Sequence, residues 1–387
     1  MPQSPSREVS PTIPLASAKL ATSLFTASFG SRPGVVTSAP GRINLIGEPT
    51  DDYGGPVLSI AIERRTAVAA GLAPRWSCIS VPEAGSDVLT AVVRQLSARN
   101  AAPPGAGVAV AGSLPAQLDF GGSIPLGVAM AKALSLLAGR RLANGELLEV
   151  ALRAERESNG AETGRTDPTV VTHGQRGVAL LVEPATGSIR SLPFPGRVWI
   201  MATGVSRDAR DNPPGQWRRE SEEALASCRQ WRPGLTHLAQ LSLLDLEELR
   251  WRLPASLLQR VRQVVADTAR ARAAAVALAD GDLAQLGGLM LQANESLRPQ
   301  AGSSSAEADL LVSSAVAHGA YGARLTGAGR QGAVIMLAPP QSEARIVAQL
   351  SQAFEDRFGR VLEVWSTRAA GGVRRETIPG GTGDRAP

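Results

Sequence analysis

A span of charged residues and glycines at residues 39–55 constrains the fold more than any other part of the chain. The aliphatic residues of 35–46 predict a buried strand pair, and those of 57–62 predict the next strand, because aliphatic and β-branched residues favour buried sheet. The span contains four charged residues: Arg42, Glu48, Asp51 and Asp52. Charged side chains at the ends of buried strands are costly unless they pair or bind a polar ligand. The span is therefore either a binding site or a salt-bridged, glycine-rich hairpin.

Residues 40–51 carry a more specific pattern, Pro-Gly-Arg-Ile-Asn-Leu-Ile-Gly-Glu-Pro-Thr-Asp, followed closely by two glycines. This pattern resembles the signature near the N-terminus of galactokinases, which are members of the GHMP family of small-molecule kinases. In that family the stretch binds the sugar. The resemblance implies that Arg42 faces the reacting centre, and that Glu48 and Asp51 accept hydrogen bonds from sugar hydroxyls.

The chain departs from the family at positions that would contact the sugar. Pro49 stands where the family usually has His, and Asp52-Tyr53 stands where it usually has Tyr-Asn. The family often has a sugar-contacting Tyr shortly before an Arg-Arg pair, but residues 212–217, just before Arg218 and Arg219, contain no Tyr here. The resemblance therefore implies galactose or a related monosaccharide, such as arabinose or an amino sugar, and leaves the choice open.

A second glycine-bearing stretch, residues 112–126, leads from a predicted strand into a predicted helix. Ser123 suits the N-cap of that helix, Pro125 is tolerated in its first turn, and apolar residues then recur at helical spacing. A glycine loop before a helix presents backbone N–H groups and the positive end of the helix dipole, which together can bind phosphate. The same pattern also fits a purely structural connection.

In galactokinases the loop that binds the nucleotide phosphates lies at this place. By that resemblance Gly121, Gly122 and Ser123 bind ATP, and Ser123 also helps to hold Mg²⁺. Asp119 stands where the family has glycine, and a carboxylate so close to a triphosphate would repel it. This departure raises an alternative from another class, a catalytically weakened or inactive galactokinase-like protein that binds sugar as a sensor or regulator.

A third loop, residues 159–169, follows a helix predicted over residues 147–158. The spacing from Glu155 through Gly164 to Asp167 follows the catalytic loop of galactokinases without a gap. The resemblance implies that Asp167 is the catalytic base, that Gly164 contacts the sugar and that Glu155 is a ligand of Mg²⁺. Without the resemblance, Glu155 would be interpreted as part of a solvent-exposed helix face.

Residues 321–336 closely resemble the third signature of the family, in the run Gly-Ala-Arg-Leu-Thr-Gly-Ala-Gly. By resemblance this loop lies beside the active site and supports the phosphate-binding region through its backbone. Gly327 and Gly329 would permit the close approach to the nucleotide. Arg330 and Gln331 stand where the family has Phe and Gly, which changes the expected packing there.

Taken in order and spacing, the three signatures imply the two-domain α+β fold of GHMP kinases. The N-terminal domain is expected over residues 18–192, with an architecture like domain 2 of ribosomal protein S5. The C-terminal domain is expected over residues 193–372 and would be ferredoxin-like, while residues 1–17 and 373–387 are expected to be flexible tails. In the cleft between the domains, an ATP- and Mg²⁺-dependent kinase would phosphorylate the anomeric C1 hydroxyl of the sugar.

The composition is that of an ordinary globular protein with room for two domains. The chain has 387 residues, of which 43% are hydrophobic. Its net charge of +5 comes from 40 basic and 35 acidic residues, and the basic ones are nearly all Arg and spread along the chain. Because no arginine run has interleaved aromatic residues, we predict no nucleic-acid partner. The expected partners are the sugar and ATP.

Targeting and redox features are sparse. The apolar segment 124–138 is interrupted by Gly127 and Lys132, so we predict no membrane-spanning helix. The N-terminus lacks the basic-then-apolar layout of a signal peptide. Cys78 and Cys228 stand far apart, with no His or Cys at ligand spacing, so neither a zinc site nor a disulfide framework is supported. We therefore expect a cytoplasmic monomer.

Overall fold

The computed structural model describes residues 16–48, 50–81, 85–115, 118, 120–159, 164–205, 214–298, 304–326 and 333–377. Within these ranges the chain forms a seven-stranded and a four-stranded β-sheet, with helices packed against both. Most strand pairs are antiparallel, and helices and strands do not alternate regularly, as expected of the α+β class.

Seven strands form the first sheet: β1 (Val35–Ile46), β2 (Val57–Leu72), β3 (Ser77–Val81), β4 (Ala106–Gly112), β5 (Val178–Glu183), β6 (Ser188–Pro193) and β11 (Arg374–Arg375). Their order is β11-β1-β2-β4-β3, and β5 pairs with both β2 and β6. The predicted strand pair over residues 35–46 is instead the single strand β1, whose register shifts between Pro40 and Arg42 and between Asn44 and Ile46. Such irregularities change the direction in which side chains point. Both of them lie inside the charged span at residues 39–55.

Five helices pack on or beside the first sheet: α1 (Ala16–Phe29), α2 (Gly85–Ser97), α3 (Ile124–Leu137), α4 (Asn144–Asn159) and α5 (Thr166–His173). Successive residues of β1 face opposite sides of the sheet. Val35 packs with α2, α3 and α4, whereas Val36 packs with Phe25 of α1. Because both faces are covered, β1 is buried along its whole length.

The second sheet is antiparallel, in the order β10-β7-β9-β8, and its strands are β7 (Arg197–Ala202), β8 (Gly322–Thr326), β9 (Ala333–Leu337) and β10 (Glu363–Arg368). The helices of this half are α6 (Pro214–Trp231), α7 (Asp245–Leu249), α8 (Ala255–Ala279), α9 (Leu283–Leu297), α10 (Ala306–Ala317) and α11 (Glu343–Phe358). Two short 3₁₀ helices are also described, Thr50–Tyr53 and Leu238–Gln240.

One apolar cluster joins the two halves of the chain. Ile43 and Ile60 of the first sheet pack in it together with Ile200 of β7 and Leu278 of α8. The charged span of β1 therefore borders the second half of the chain. The division between residues 192 and 193 falls inside β6, before its last residue, and it stays a prediction.

After β10 the chain returns to the first sheet. Arg65 of β2 donates to the main-chain oxygens of Gly371 and Gly372, at 2.8 and 2.7 Å. The N–H of Gly372 donates to Gly174 O at 2.7 Å, and β11 then pairs with β1. The prediction of a flexible tail is therefore wrong for residues 373–377. Main-chain hydrogen bonds and the side chain of Glu376 hold the segment, and its glycines and arginines give no sign of these contacts in the sequence.

The start of the chain needs a similar correction. Helix α1 begins at Ala16, so two residues of the predicted tail 1–17 are helical. Ser17 is buried, and its hydroxyl donates to Arg65 O at 3.1 Å. The rest of that tail, and residues 378–387 of the other, lie outside the described residues.

The contacts of Glu376, in the segment after β10, predict that this residue contributes to stability in a pH-dependent way. Burial would raise the pKa of Glu376, but hydrogen bonds from Ser38 and Arg374, with the charges of Arg374 and Arg65, outweigh it and lower that pKa. A lowered folded-state pKa stabilises the fold above the unfolded value of 4.5, and this stabilisation is lost as the pH falls through the folded value.

We expect Glu376→Gln to lower the Tm at pH 7 by about 1–3 °C, because the carboxylate is half-buried and its ion pairs are partly screened. At a pH below the folded-state pKa, variant and wild type should melt together. Thermal melts across the acid range measure this difference, and a Tm loss that is the same at every pH would contradict it.

Candidate active site

Arg42 and Asp167, which are 125 residues apart in sequence, form a two-pronged ion pair. The Nε of Arg42 donates to Oδ1 of Asp167 at 2.5 Å, and Nη2 donates to Oδ2 at 2.8 Å. Arg42 stands directly after a register shift of β1, and Asp167 stands in the first turn of α5. The side chain of Arg42 is 5% exposed and that of Asp167 is 18% exposed. The pair fixes the orientation of a carboxylate that solvent and small molecules can still reach.

The glycine loop before α3 passes directly beside this pair. Gly121 and Gly122 both have positive φ, +108° and +54°, which residues with a side chain rarely adopt. A Cβ on Gly121 would lie 3.6 Å from Cγ of Arg42, and one on Gly122 would lie 3.7 Å from Oε1 of Glu155. The N–H of Arg42 donates to Phe120 O at 2.9 Å, which ties the loop to β1.

Ser123 ends the loop and contacts Glu155. Its position before α3 is the N-cap, as predicted, but its hydroxyl makes no cap hydrogen bond and its backbone is helical. The hydroxyl donates instead to Oε2 of Glu155, in the last turns of α4. Glu155 is half-buried, so its interpretation as part of a solvent-exposed helix face is wrong.

Ser123 and Glu155 have the chemistry of a Mg²⁺ site. A hydroxyl and a carboxylate are hard oxygen ligands, which Mg²⁺ prefers. Within the described ranges there is no group of three or more His, Cys, Asp or Glu residues that could hold a metal. Mg²⁺ usually takes one or two protein ligands and completes its shell with water and substrate phosphates. The pair therefore fits a Mg²⁺ ion that arrives with a nucleotide.

Glu48 belongs to the same sequence signature as Arg42, and its side chain is more buried than that of Asp167. Its side chain is 7% exposed. Asn44 Nδ2 donates to Oε1 at 2.5 Å, Thr326 Oγ1 donates to Oε2 at 3.4 Å, and Arg324 Nη1 lies 3.6 Å from Oε2. Three side chains thus orient Glu48, the residue predicted to bind the sugar. Two of them, Arg324 and Thr326, belong to β8.

The remaining predicted site residues are placed as follows. Asp51 is half-buried in the 3₁₀ helix Thr50–Tyr53, and Gly164 is exposed just before α5. Gly327 and Gly329, and with them Asp119, lie outside the described residues. The structure therefore brings together Arg42, Gly121, Gly122, Ser123, Glu155 and Asp167.

Sequence reasoning missed the residues that hold Glu48. Asn44 and Arg324 both belong to family signatures. The resemblance assigns roles only to those signature positions whose roles in the family are known. Arg324 is completely buried. A charged residue among the small and apolar residues of the third signature is the signal that could have identified it.

Comparisons with known proteins show the family to which the chain belongs. The galactokinase galactose-binding signature matches residues 23–72, the GHMP kinases N terminal domain matches residues 87–175, and GHMP kinases C terminal matches residues 274–356. The chain is 32% identical over 374 residues to a galactokinase of Roseiflexus sp. (strain RS-1), and the match covers 91% of this chain and 95% of that protein. The chain belongs to the galactokinase family of GHMP kinases.

Two further similarities support the family and its fold. A galactokinase of Chloroflexus aggregans is 33% identical, over 90% of this chain and 95% of that protein. The crystal structure of Lactococcus lactis galactokinase complexed with galactose has a TM-score of 0.83 and 22% identity, and the match covers 92% of this chain and 99% of that one. The predicted two-domain GHMP kinase fold is thereby confirmed.

Membership of the galactokinase family also bears on the substrates and the setting. A kinase of this family uses ATP, so that prediction is confirmed, whereas Mg²⁺ stays a prediction. None of the helices in the described ranges is long and apolar enough to cross a membrane.

Proposed function

We propose that this galactokinase-family protein transfers the γ-phosphoryl group of ATP to the anomeric C1 hydroxyl of galactose or a closely related monosaccharide. The observation that carries the proposal is the contact of Arg42 with Asp167 beside the glycine loop. It places a fixed carboxylate, a guanidinium and a candidate phosphate site within one group of contacting residues. Those are the groups that phosphoryl transfer to an alcohol requires.

Asp167 acts on the sugar in this proposal. Its carboxylate accepts the proton of the C1 hydroxyl while the hydroxyl oxygen forms a bond to the γ-phosphorus. The bond from that phosphorus to the bridging oxygen of ADP breaks, and ADP leaves with the electron pair. Arg42 holds the carboxylate in place and adds positive charge next to the transferred group, where negative charge spreads in the transition state.

The glycine loop and α3 act on the nucleotide. The backbone N–H groups around Gly121 and Gly122 and the positive end of the α3 dipole would face its phosphates. Ser123 and Glu155 would hold Mg²⁺, which neutralises charge on the phosphate oxygens when it is bound. Glu48 and Asp51 would accept hydrogen bonds from sugar hydroxyls, and Gly164 would allow the sugar to approach the backbone before α5.

We do not favour the inactive sugar sensor. A sensor would have no use for an oriented Asp167, nor for the contact between Ser123 and Glu155. The departure that suggested it, Asp119, lies outside the described residues. A monomer located in the cytoplasm stays our prediction, and light scattering on the purified protein tests the first part.

Turnover of D-galactose, measured as ADP release, tests the proposed function. We expect a kcat of about 1–100 s⁻¹, the usual range for kinases. The matched control is 1-deoxygalactose, which keeps the other hydroxyls but lacks the acceptor, so it should inhibit competitively and release no ADP above background. Arabinose and galactosamine in the same assay identify the preferred sugar. Equal background rates with every sugar would refute the proposal.

A further inference from the structure

We infer that Arg324 is a positioning residue for the sugar: from the second half of the chain, it fixes the carboxylate of Glu48 in the orientation that receives the sugar hydroxyls. The inference rests on the proposed function and deepens it. Arg324 lies in β8, at the start of the third signature, and touches none of the reacting groups in the described structure.

Arg324 contacts the sugar signature at three points. Its Nη1 lies 3.6 Å from Oε2 of Glu48 and donates to the main-chain oxygens of Leu45 and Asn44, at 3.3 and 3.4 Å. All three acceptors belong to the end of β1 and the residues just after it. One buried guanidinium therefore fixes both the backbone that carries Glu48 and the carboxylate itself.

Thr326 adds a second contact from the same strand. Residues two apart in a strand face the same side of the sheet, so Thr326 and Arg324 reach Glu48 together. The hydroxyl of Thr326 donates to Oε2 of Glu48 at 3.4 Å. On the other carboxylate oxygen, the amide of Asn44 is itself held by Ser59, whose hydroxyl donates to Oδ1 of Asn44 at 2.5 Å. Both oxygens of Glu48 are thus oriented by fixed partners.

A second carboxylate, that of Asp267, interacts electrostatically with the positive charge of Arg324. Asp267 of α8 is buried and pairs with Arg270, whose Nη2 lies 2.6 Å from Oδ1. Burial lowers the pKa of Arg324, and the charges of Glu48 and Asp267 counteract this. The two carboxylates offset part of the cost of burying the Arg324 guanidinium next to Glu48, whereas the charge of Arg270 adds to that cost and further lowers the pKa of Arg324.

This network is poorly suited to stabilise the fold by itself. Nε and Nη2 of Arg324, and Oδ2 of Asp267, have no hydrogen-bond partner in the described part of the chain. Buried charges with unpaired polar atoms often contribute less stability than apolar residues of the same volume. What the network does supply is a Glu48 carboxylate that is already ordered, so that a sugar bound there does not have to order it.

The test measures the Kd of D-galactose and of Mg-ATP separately, by calorimetry, for Thr326→Val, Arg324→Lys and Arg324→Met. We expect Thr326→Val to raise the galactose Kd by roughly three- to tenfold and Arg324→Met by more than about tenfold, with Arg324→Lys between them because it keeps the charge. The Kd of Mg-ATP should rise far less than that of galactose, because the contacts described for these side chains are with Glu48 and β1.

Arg260→Met is the matched control, since Arg260 is a largely buried arginine of α8 that pairs with Glu220 and does not contact Glu48. It should lower the Tm but leave the galactose Kd unchanged. Thr326→Val decides the matter if Arg324→Met does not fold. Unchanged galactose affinity in Thr326→Val and Arg324→Lys, or an equal loss in Arg260→Met, would overturn the inference. Wild type that turns over no sugar would instead refute the proposed function.

Discussion

Asp167→Asn should lower the kcat with galactose by about 10³-fold, while the Kd of galactose changes by no more than a few fold. Asparagine has the shape of aspartate but cannot accept the hydroxyl proton. Its amide can still accept one hydrogen bond from Arg42, so the structure around α5 should persist. Single-turnover ADP formation gives the chemical rate, and calorimetry gives the Kd.

Two companion variants make this result specific to Asp167. Asp280→Asn removes an exposed carboxylate just after α8 and should leave both constants unchanged. Arg42→Lys keeps the charge but cannot form the two-pronged contact, and its effect should not add to that of Asp167→Asn, because the two residues act as one unit. If Asp167→Asn keeps a tenth of the wild-type kcat or more, Asp167 is not the base.

The physical chemistry of single residues left several questions open that the family resemblance answered. From charge and apolar pattern alone, the span at residues 39–55 was either a site or a salt-bridged hairpin. The pairing of Arg42 with Asp167 spans most of the first domain, and no local pattern predicts such a contact. The resemblance predicted that both residues lie at the reacting centre, and they are in contact.

Other features could not be predicted because they depend on long-range packing. The hydroxyl of Ser123 contacts Glu155 rather than the backbone of its own helix, since α4 presents a carboxylate next to it. The residues after β10 pair with β1 through backbone groups, although their glycines and arginines are typical of a loose tail. Arg324 meets Glu48 only because β8 and β1 pack together.

Glu155→Gln tests the assignment of the metal-binding pair. We expect kcat to fall by roughly 10²-fold, and the Mg²⁺ concentration that gives half-maximal activity to rise by about tenfold. Glutamine keeps the size of Glu155 and an oxygen that can accept the Ser123 hydroxyl, so the loop should stay in place while the negative charge is lost. The measurement is ADP release across a Mg²⁺ titration at constant ATP.

Glu157→Gln is the control on the same helix, because Glu157 is paired with Arg94 at 3.1 Å on the outer side of α2 and α4. It should leave the Mg²⁺ dependence unchanged. If Glu155→Gln lowers kcat without shifting that dependence, Glu155 is not a ligand of Mg²⁺. The loss would then come from the missing negative charge and not from the orientation of Ser123, because glutamine can still accept its hydroxyl.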